Sequence, residues 1–153
     1  IGPTGRLLMA GEVTGDELAS AFAEQAEALA VGGAEALVVE TMADPEEAAL
    51  AVAAARATGL PVVGSMVYDS GRDRDRTLMG TTPEQAAERL AAAGADVIGA
   101  SCGQGIEGFL SLCRRLRAAT GGSWLATLQR RPPDGGIHGR GGASRMFRWR
   151  LHR

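Results

Sequence analysis

Long apolar runs are missing from this chain. No stretch of about 18 apolar residues occurs, so no segment reads as a membrane span. The amino end, Ile1-Gly2-Pro3-Thr4-Gly5, has no Met and none of the charged and apolar regions of a signal peptide. It reads as a chain already in progress. Cysteine is scarce, with only Cys102 and Cys113, eleven residues apart. That spacing builds no disulfide framework, and a reducing cytoplasm is the expected compartment. Lysine is absent, and all sixteen basic residues are arginine. With abundant alanine and glycine, this reads as a GC-rich coding bias and not as a binding signal.

What is present is 153 residues with a net charge of −2, enough for one domain with a real core. It is short of the roughly 250 residues of a closed eight-stranded α/β barrel. The charge is unevenly spread. Residues 1–120 hold nine Arg against seventeen acids, and residues 121–153 hold seven Arg against Asp134 alone. So sharp a split fits a nucleic-acid-binding tail, or a tail whose origin differs from the rest.

Residues 1–120 alternate helices and strands. Thr14-Gly15-Asp16-Glu17 is a capping box, and behind it Leu18, Phe22, Ala26 and Leu29 trace one helical face. Gly32-Gly33 stops that helix. Ala36 to Val39 is a short apolar run suited to a strand buried on both faces. Asp44-Pro45 caps a second helix, which Gly59 closes. Pro61 to Val67 is a second strand, and a charged loop runs from Asp69 to Gly80. Thr82-Pro83-Glu84-Gln85 caps a third helix, Asp96 to Ala100 is a third strand, and a fourth helix spans about Ile106 to Ala119. Three strands and four helices in alternation predict an α/β fold with a parallel sheet and helices packed outside it. Gly33-Ala34-Glu35-Ala36-Leu37-Val38 echoes Gly94-Ala95-Asp96-Val97-Ile98-Gly99 at a spacing of 61. This is two strand–helix units, and the register sets Glu40 opposite Ser101 and Thr41 opposite Cys102. Both pairs then sit at the carboxyl ends of strands, the face that carries chemistry in α/β sheets. After Gly121 no helical or strand period continues. Three Gly-Gly pairs occur there, with Trp124, Phe147 and Trp149.

Cys102 follows a strand and precedes glycines and a helix start, a setting that favours the thiolate that binds metal or attacks. The plainer reading is a small buried residue at a strand terminus. Glu40 closes a buried strand, where a carboxylate needs a cation or hydrogen-bond donors. A substrate ammonium or an Arg across the rim would each serve. Cys113, beside Phe109, Leu112 and Leu116, reads as core. The run Arg72-Asp73-Arg74-Asp75-Arg76 reads as a solvated loop. Gly103-Gln104-Gly105 is a weak anion cradle, and His138 and His152 are assigned no role.

These motifs together resemble the homocysteine-binding domain shared by homocysteine S-methyltransferases and the first module of cobalamin-dependent methionine synthase. Gly2-Pro3-Thr4-Gly5 resembles the family's Gly-Pro-Thr-Gly loop. Val39-Glu40-Thr41-Met42-Ala43-Asp44 with Glu47 resembles its strand-end Glu-Thr signature. Gly71 and Thr77 to Gly80 match a glycine and a Thr-containing loop, and Gly99-Ala100-Ser101-Cys102 resembles Gly-x-Asn-Cys. The resemblance covers residues 1–120 and implies a partial (β/α)8 TIM barrel holding its fourth, fifth and sixth strands. It implies zinc as cofactor, Cys102 as the first of three zinc-ligating cysteines, and Glu40 as the contact for the amino group of homocysteine. The expected partners are homocysteine and a methyl donor, the latter methylcobalamin delivered by another module or one of several small donors, with no membrane and no nucleic acid. Ser101 stands where the family has Asn. The first three strands and the family's adjacent cysteine pair are lacking, so the chain is expected to be inactive.

Residues 121–153 are expected to be an out-of-frame tail and no domain. Where the family continues with a seventh strand and Asn-Ala-Gly-Leu-Pro, this chain has Gln129-Arg130-Arg131-Pro132-Pro133. The codons CAA CGC CGG CCT CCC encode those five residues, and read one base later they give Asn-Ala-Gly-Leu-Pro. A frameshift near Gly121 would explain the Arg excess and the lost periodicity together. Two rival readings are an acidic α/β platform with a nucleic-acid-binding tail, and an α/β-barrel enzyme acting on a phosphorylated substrate with Glu40 as base.

Overall fold

Helix caps written into the sequence set the frame. A computed structural model describes residues 1–6, 8–103, 106–120 and 124–127. Helix α1, Gly15–Val31, starts at the Thr14 capping box, in which Thr14 accepts from the Glu17 N–H and the Glu17 carboxylate accepts from the Thr14 N–H. Helix α2, Pro45–Ala57, is capped by Asp44, and α3, Pro83–Ala92, by a second capping box between Thr82 and Gln85. Each cap satisfies amide groups that the first turn leaves without intrahelical partners. Helix α4 is Ile106–Thr120, and a short 3-10 turn, Leu8–Ala10, precedes α1.

The strands are β1 (Leu37–Met42), β2 (Val62–Met66), β3 (Val97–Ser101) and β4 (Trp124–Thr127). They pair in chain order, and every pairing is parallel. Consecutive parallel strands joined by helices are the repeating unit of an α/β barrel. The expected α/β architecture is therefore observed, with one strand more than the sequence reading gave. That reading stopped regular structure at Gly121. The structure instead pairs Trp124 with Ile98 and continues in register to Thr127 with Ser101. Four residues are too few to show a period, which is why the strand was invisible.

The core lies between sheet and helices. Leu18, Phe22 and Ala26 of α1, Ala48, Ala51, Val52 and Ala55 of α2, and Ala86 and Leu90 of α3 are buried with Leu37, Val39, Val62, Met66, Ile98 and Ala100. Each large aliphatic side chain buried here contributes roughly 1.5–3 kcal/mol. Small residues let helices and sheet approach. At Gly64 an added Cβ would lie 3.1 Å from Val52 Cγ2 and 3.3 Å from Leu90 Cδ2, so α2 and α3 close over bare backbone. Leu29 departs from the expected face of α1 and is 41% exposed. Cys113 is half-buried, whereas Phe109, Leu112 and Leu116 around it are buried.

The charged loop is also more than a solvated connection. Ser70 and Arg76 form an antiparallel bridge, Thr77 is fully buried, and Asp75 is paired with Arg115 of α4. Alternating charge hid this because the partner lies 40 residues downstream. On the outer edge of β1, the Ile1 ammonium donates to the Val38 carbonyl and the Glu40 N–H donates to the Ile1 carbonyl. This edge accepts parallel pairing. Among the described residues, no helix is long and apolar enough to cross a membrane.

Candidate functional site

The carboxyl rim of the sheet is shaped by an irregularity in β1. Val39 pairs with Gly64, but the next pair is Met42 with Met66, so β1 carries an extra residue as a bulge. Bulges re-aim side chains and concentrate beside functional sites. Glu40 and Thr41 occupy the bulge, and Thr41 has φ 65°. Two strands away, Cys102 follows β3 with φ 60°. Left-handed backbone at a non-glycine residue costs on the order of 1–3 kcal/mol and persists only where surrounding contacts enforce it. Among the described residues Arg74 alone shares this conformation with them outside glycine.

The contacts that enforce it form one chain. The Thr41 N–H donates to Ser101 Oγ at 2.8 Å, and the Ser65 hydroxyl donates to the same oxygen at 2.8 Å. Thr41 Oγ1 lies 3.4 Å from Cys102 Sγ. Ser65 and Ser101 are buried, and Cys102 is half-buried. Gly103 follows with φ 82°, and a Cβ there would stand 3.2 Å from both Asp69 Cβ and Val67 Cγ1. The chain beyond β3 therefore turns tightly against the end of β2. The pairing of Thr41 with Cys102 is the one that the internal echo in the sequence implied.

Glu40 is half-buried and sits immediately before Thr41. Strand alternation puts Leu37 and Val39 on the helix-packed face and Val38 and Glu40 on the other. Glu40 and Cys102 thus share one rim, reached from different strands. No sequence signal suggested that Ser65 or Ser101 ties that rim together, since isolated serines in strands carry no pattern.

A second contact joins two of the quoted motifs. The N–H and the hydroxyl of Thr4 both donate to Glu47 Oε1, at 2.8 and 2.7 Å. Glu47 is buried in the first turn of α2. The Gly2-Pro3-Thr4-Gly5 loop is thereby pinned over the helix that follows β1. Farther along the rim, Arg115 makes a two-pronged pair with Glu84, at 2.6 and 2.7 Å, and reaches Asp75 at 2.5 Å. The guanidinium holds the Glu84 carboxyl down to about 2. Tyr68 is buried, which pushes its phenol above the ordinary range, with the nearby Glu84 charge adding to this.

The thiol inventory bears on metal binding. Burial pushes the Cys113 thiol up, away from the thiolate that ligates metal. Among the described residues, no group of three or more His, Cys, Asp or Glu is placed to hold a metal ion. A structural or catalytic zinc needs at least three protein donors. The residues described supply one thiol at the rim, Cys102, and no group of three donors, so by themselves they do not fit zinc. Gln104, Gly105, His138 and His152 lie outside the described residues.

The chain is similar to known proteins over most of its length. The family model for homocysteine S-methyltransferase matches residues 1–136. Betaine–homocysteine S-methyltransferase 1 of Sus scrofa is 36% identical over 86 residues, which is 56% of this chain and 30% of that protein. The apo crystal structure of the homocysteine methyltransferase MmuM from Escherichia coli superposes with a TM-score of 0.69 at 19% identity, covering 84% of this chain and 47% of that one. The latter likeness shows the fold. The chain spans less than half the length of either relative.

Proposed function

The chain belongs to the homocysteine S-methyltransferase family, and on that footing we propose that it carries part of the site at which a methyl group is transferred to the thiol of homocysteine. The observation that supports this best is the meeting of Thr41 and Cys102 at 3.4 Å, which sets the Glu-Thr signature of β1 against the cysteine that ends β3. A half-buried carboxylate at a strand end is suited to the ammonium of an amino acid, and Glu40 is assigned that contact. Cys102 is assigned as one thiolate of the family's zinc site. Its remaining donors are not among the described residues, so no step through zinc is derived.

Within this reading Glu40 binds and orients, and the rim of β1 to β3 fixes where the substrate sulfur points. Methyl transfer requires that sulfur as a thiolate, and a neutral-pH thiol needs help to lose its proton. This chain alone supplies too little of the site, so it is expected to be inactive, and its setting is assigned to the cytoplasm, where free thiols persist.

Two assays test the proposal. The chain, given L-homocysteine with betaine, S-methylmethionine or methylcobalamin, is expected to form no methionine, and turnover would refute its inactivity. Residues 1–127 substituted into the matching segment of the Escherichia coli relative are expected to retain homocysteine methylation. Glu40→Ala in that chimaera should raise KM for homocysteine, and Cys102→Ser should abolish turnover. A folded chimaera indifferent to both changes would overturn the assignments.

A further inference from the structure

Thr41 combines three features. It sits in a bulge, it holds a left-handed conformation, and its hydroxyl touches the one thiol at the carboxyl rim. We infer that Thr41 is a positioning residue whose hydroxyl fixes the direction in which Cys102 presents its sulfur, with Ser101 as the anchor that holds Thr41 in place. The inference rests on the reading of Cys102 as the functional sulfur of the site.

Four points carry it. A regular β1 would turn the residue after Glu40 toward the helix-packed face, since side chains alternate along a strand. The extra residue of the bulge breaks that alternation, and the strained φ of 65° is what brings the hydroxyl to the sulfur. The strain is stabilised by a specific contact, the 2.8 Å bond from the Thr41 N–H to Ser101 Oγ. Ser101 in turn accepts from Ser65 at 2.8 Å, so its oxygen is held from both β1 and β2.

The last contact can run either way, since hydroxyl and thiol can each donate. To a sulfur that ligates or attacks as thiolate, the Thr41 hydroxyl would be the donor. A donor fixed by the backbone of one strand selects, among the three staggered positions of the sulfur, the one that reaches it. Cys102 has itself the left-handed φ of 60° and is followed by Gly103, which also has positive φ.

The role is separable from packing. Valine keeps the shape of threonine and loses the hydroxyl, whereas serine keeps the hydroxyl and loses the methyl. The readout is the pair of Hα–Hβ couplings of Cys102 in the whole chain labelled at cysteine, with Cys113→Ser to assign the two signals. Wild type and Thr41→Ser are expected to show the couplings of one staggered rotamer. Thr41→Val is expected to show averaged couplings in an otherwise well-dispersed spectrum. A single rotamer retained in Thr41→Val, or averaging in Thr41→Ser alone, would overturn the inference and leave Thr41 a packing residue. Should Thr41→Val fail to fold, Ser101→Ala reads the same device from its anchor: averaging at Cys102 supports it and a single rotamer refutes it. Failure of the homocysteine reading shows instead in the chimaera assay and leaves these couplings unchanged.

Discussion

Thr4 gives both of its donors, the backbone N–H and the hydroxyl, to a single carboxylate oxygen of Glu47, 43 residues along the chain. Glu47 is 5% exposed, whereas Thr4 is exposed, so water reaches the bonds from the loop side only. Hydrogen bonds to a charged acceptor contribute roughly 1.5–3 kcal/mol each, with less for the second when two share one oxygen. Glu47→Ala should therefore lower unfolding free energy by about 1–3 kcal/mol and free the loop from Gly2 to Gly5. Denaturant titration measures the first, and faster amide exchange at Thr4 reports the second. Thr4→Val keeps one of the two bonds and should cost less than Glu47→Ala. An equal or larger cost would mean that the bond from the Thr4 N–H contributes nothing measurable.

The Arg115–Glu84 pair predicts a pH dependence. The Glu84 carboxyl, ordinarily near 4.5, is held at about 2 in the folded chain by the guanidinium. A depressed folded value contributes stability fully present above the unfolded value, and that contribution is lost as pH falls through the folded one. The window is therefore pH 4.5 down to about 2. Glu84 is 47% exposed and Arg115 31% exposed, so water and salt screen the pair and its contribution is modest. Glu84→Gln should flatten the fall of melting temperature across that window and change little at neutral pH in high salt. An unchanged acid limb in the variant would remove Glu84 from the account.

Gly64 offers a test of the packing between sheet and helices. An added methyl there meets Val52, Leu90 and Ala95 at 3.1 to 3.4 Å. Val52 and Leu90 are buried in α2 and α3 and Ala95 packs against the core, so the conflict is not relieved by a surface side chain swinging away. Gly64→Ala should destabilise by about 1–3 kcal/mol, the usual cost of overpacking. Pairing it with Val52→Ala should recover part of the loss, and strict additivity in that double-mutant cycle would show that the two sites do not touch.

The fold was largely legible because its signals are local. Thr14 with Glu17, Asp44 with Pro45, and Thr82 with Gln85 announce helix starts within four residues, and all three caps are formed. The rim was legible only in part. An internal echo paired Thr41 with Cys102, since repeated strand–helix units preserve the phase of strand ends. The bulge that makes this pairing a contact left no mark in the sequence, because one extra residue in a six-residue strand does not disturb an apolar run. Glu47 was read with the Glu-Thr signature and Asp75 as part of a solvated loop. Their partners, Thr4 and Arg115, are 43 and 40 residues away. Long-range polar pairing of this kind has no period to detect.

We propose that any departure of the reading frame lies after β4. Trp124 to Thr127 pairs in register with Ile98 to Ser101, and a break near Gly121 would put that strand out of frame. The family match runs on to residue 136 and so takes in Gln129 to Pro133. The frameshift reading, against that match, puts the break between Thr127 and Gln129, with residues 129–153 as out-of-frame translation. The DNA should read Asn-Ala-Gly-Leu-Pro one base beyond the frame that encodes Gln129 to Pro133, and codons that do not would sink the idea. Protein chemistry gives an independent check. Four Cα pairs join β4 to the β3 edge. Truncation after Thr120 removes them and bares that edge, so it should lower the melting temperature and promote aggregation. Truncation after Leu128 keeps the strand and should leave the melting temperature near that of the full chain. Equal losses from both truncations would show that residues beyond 128 contribute to the fold and are no accident of frame.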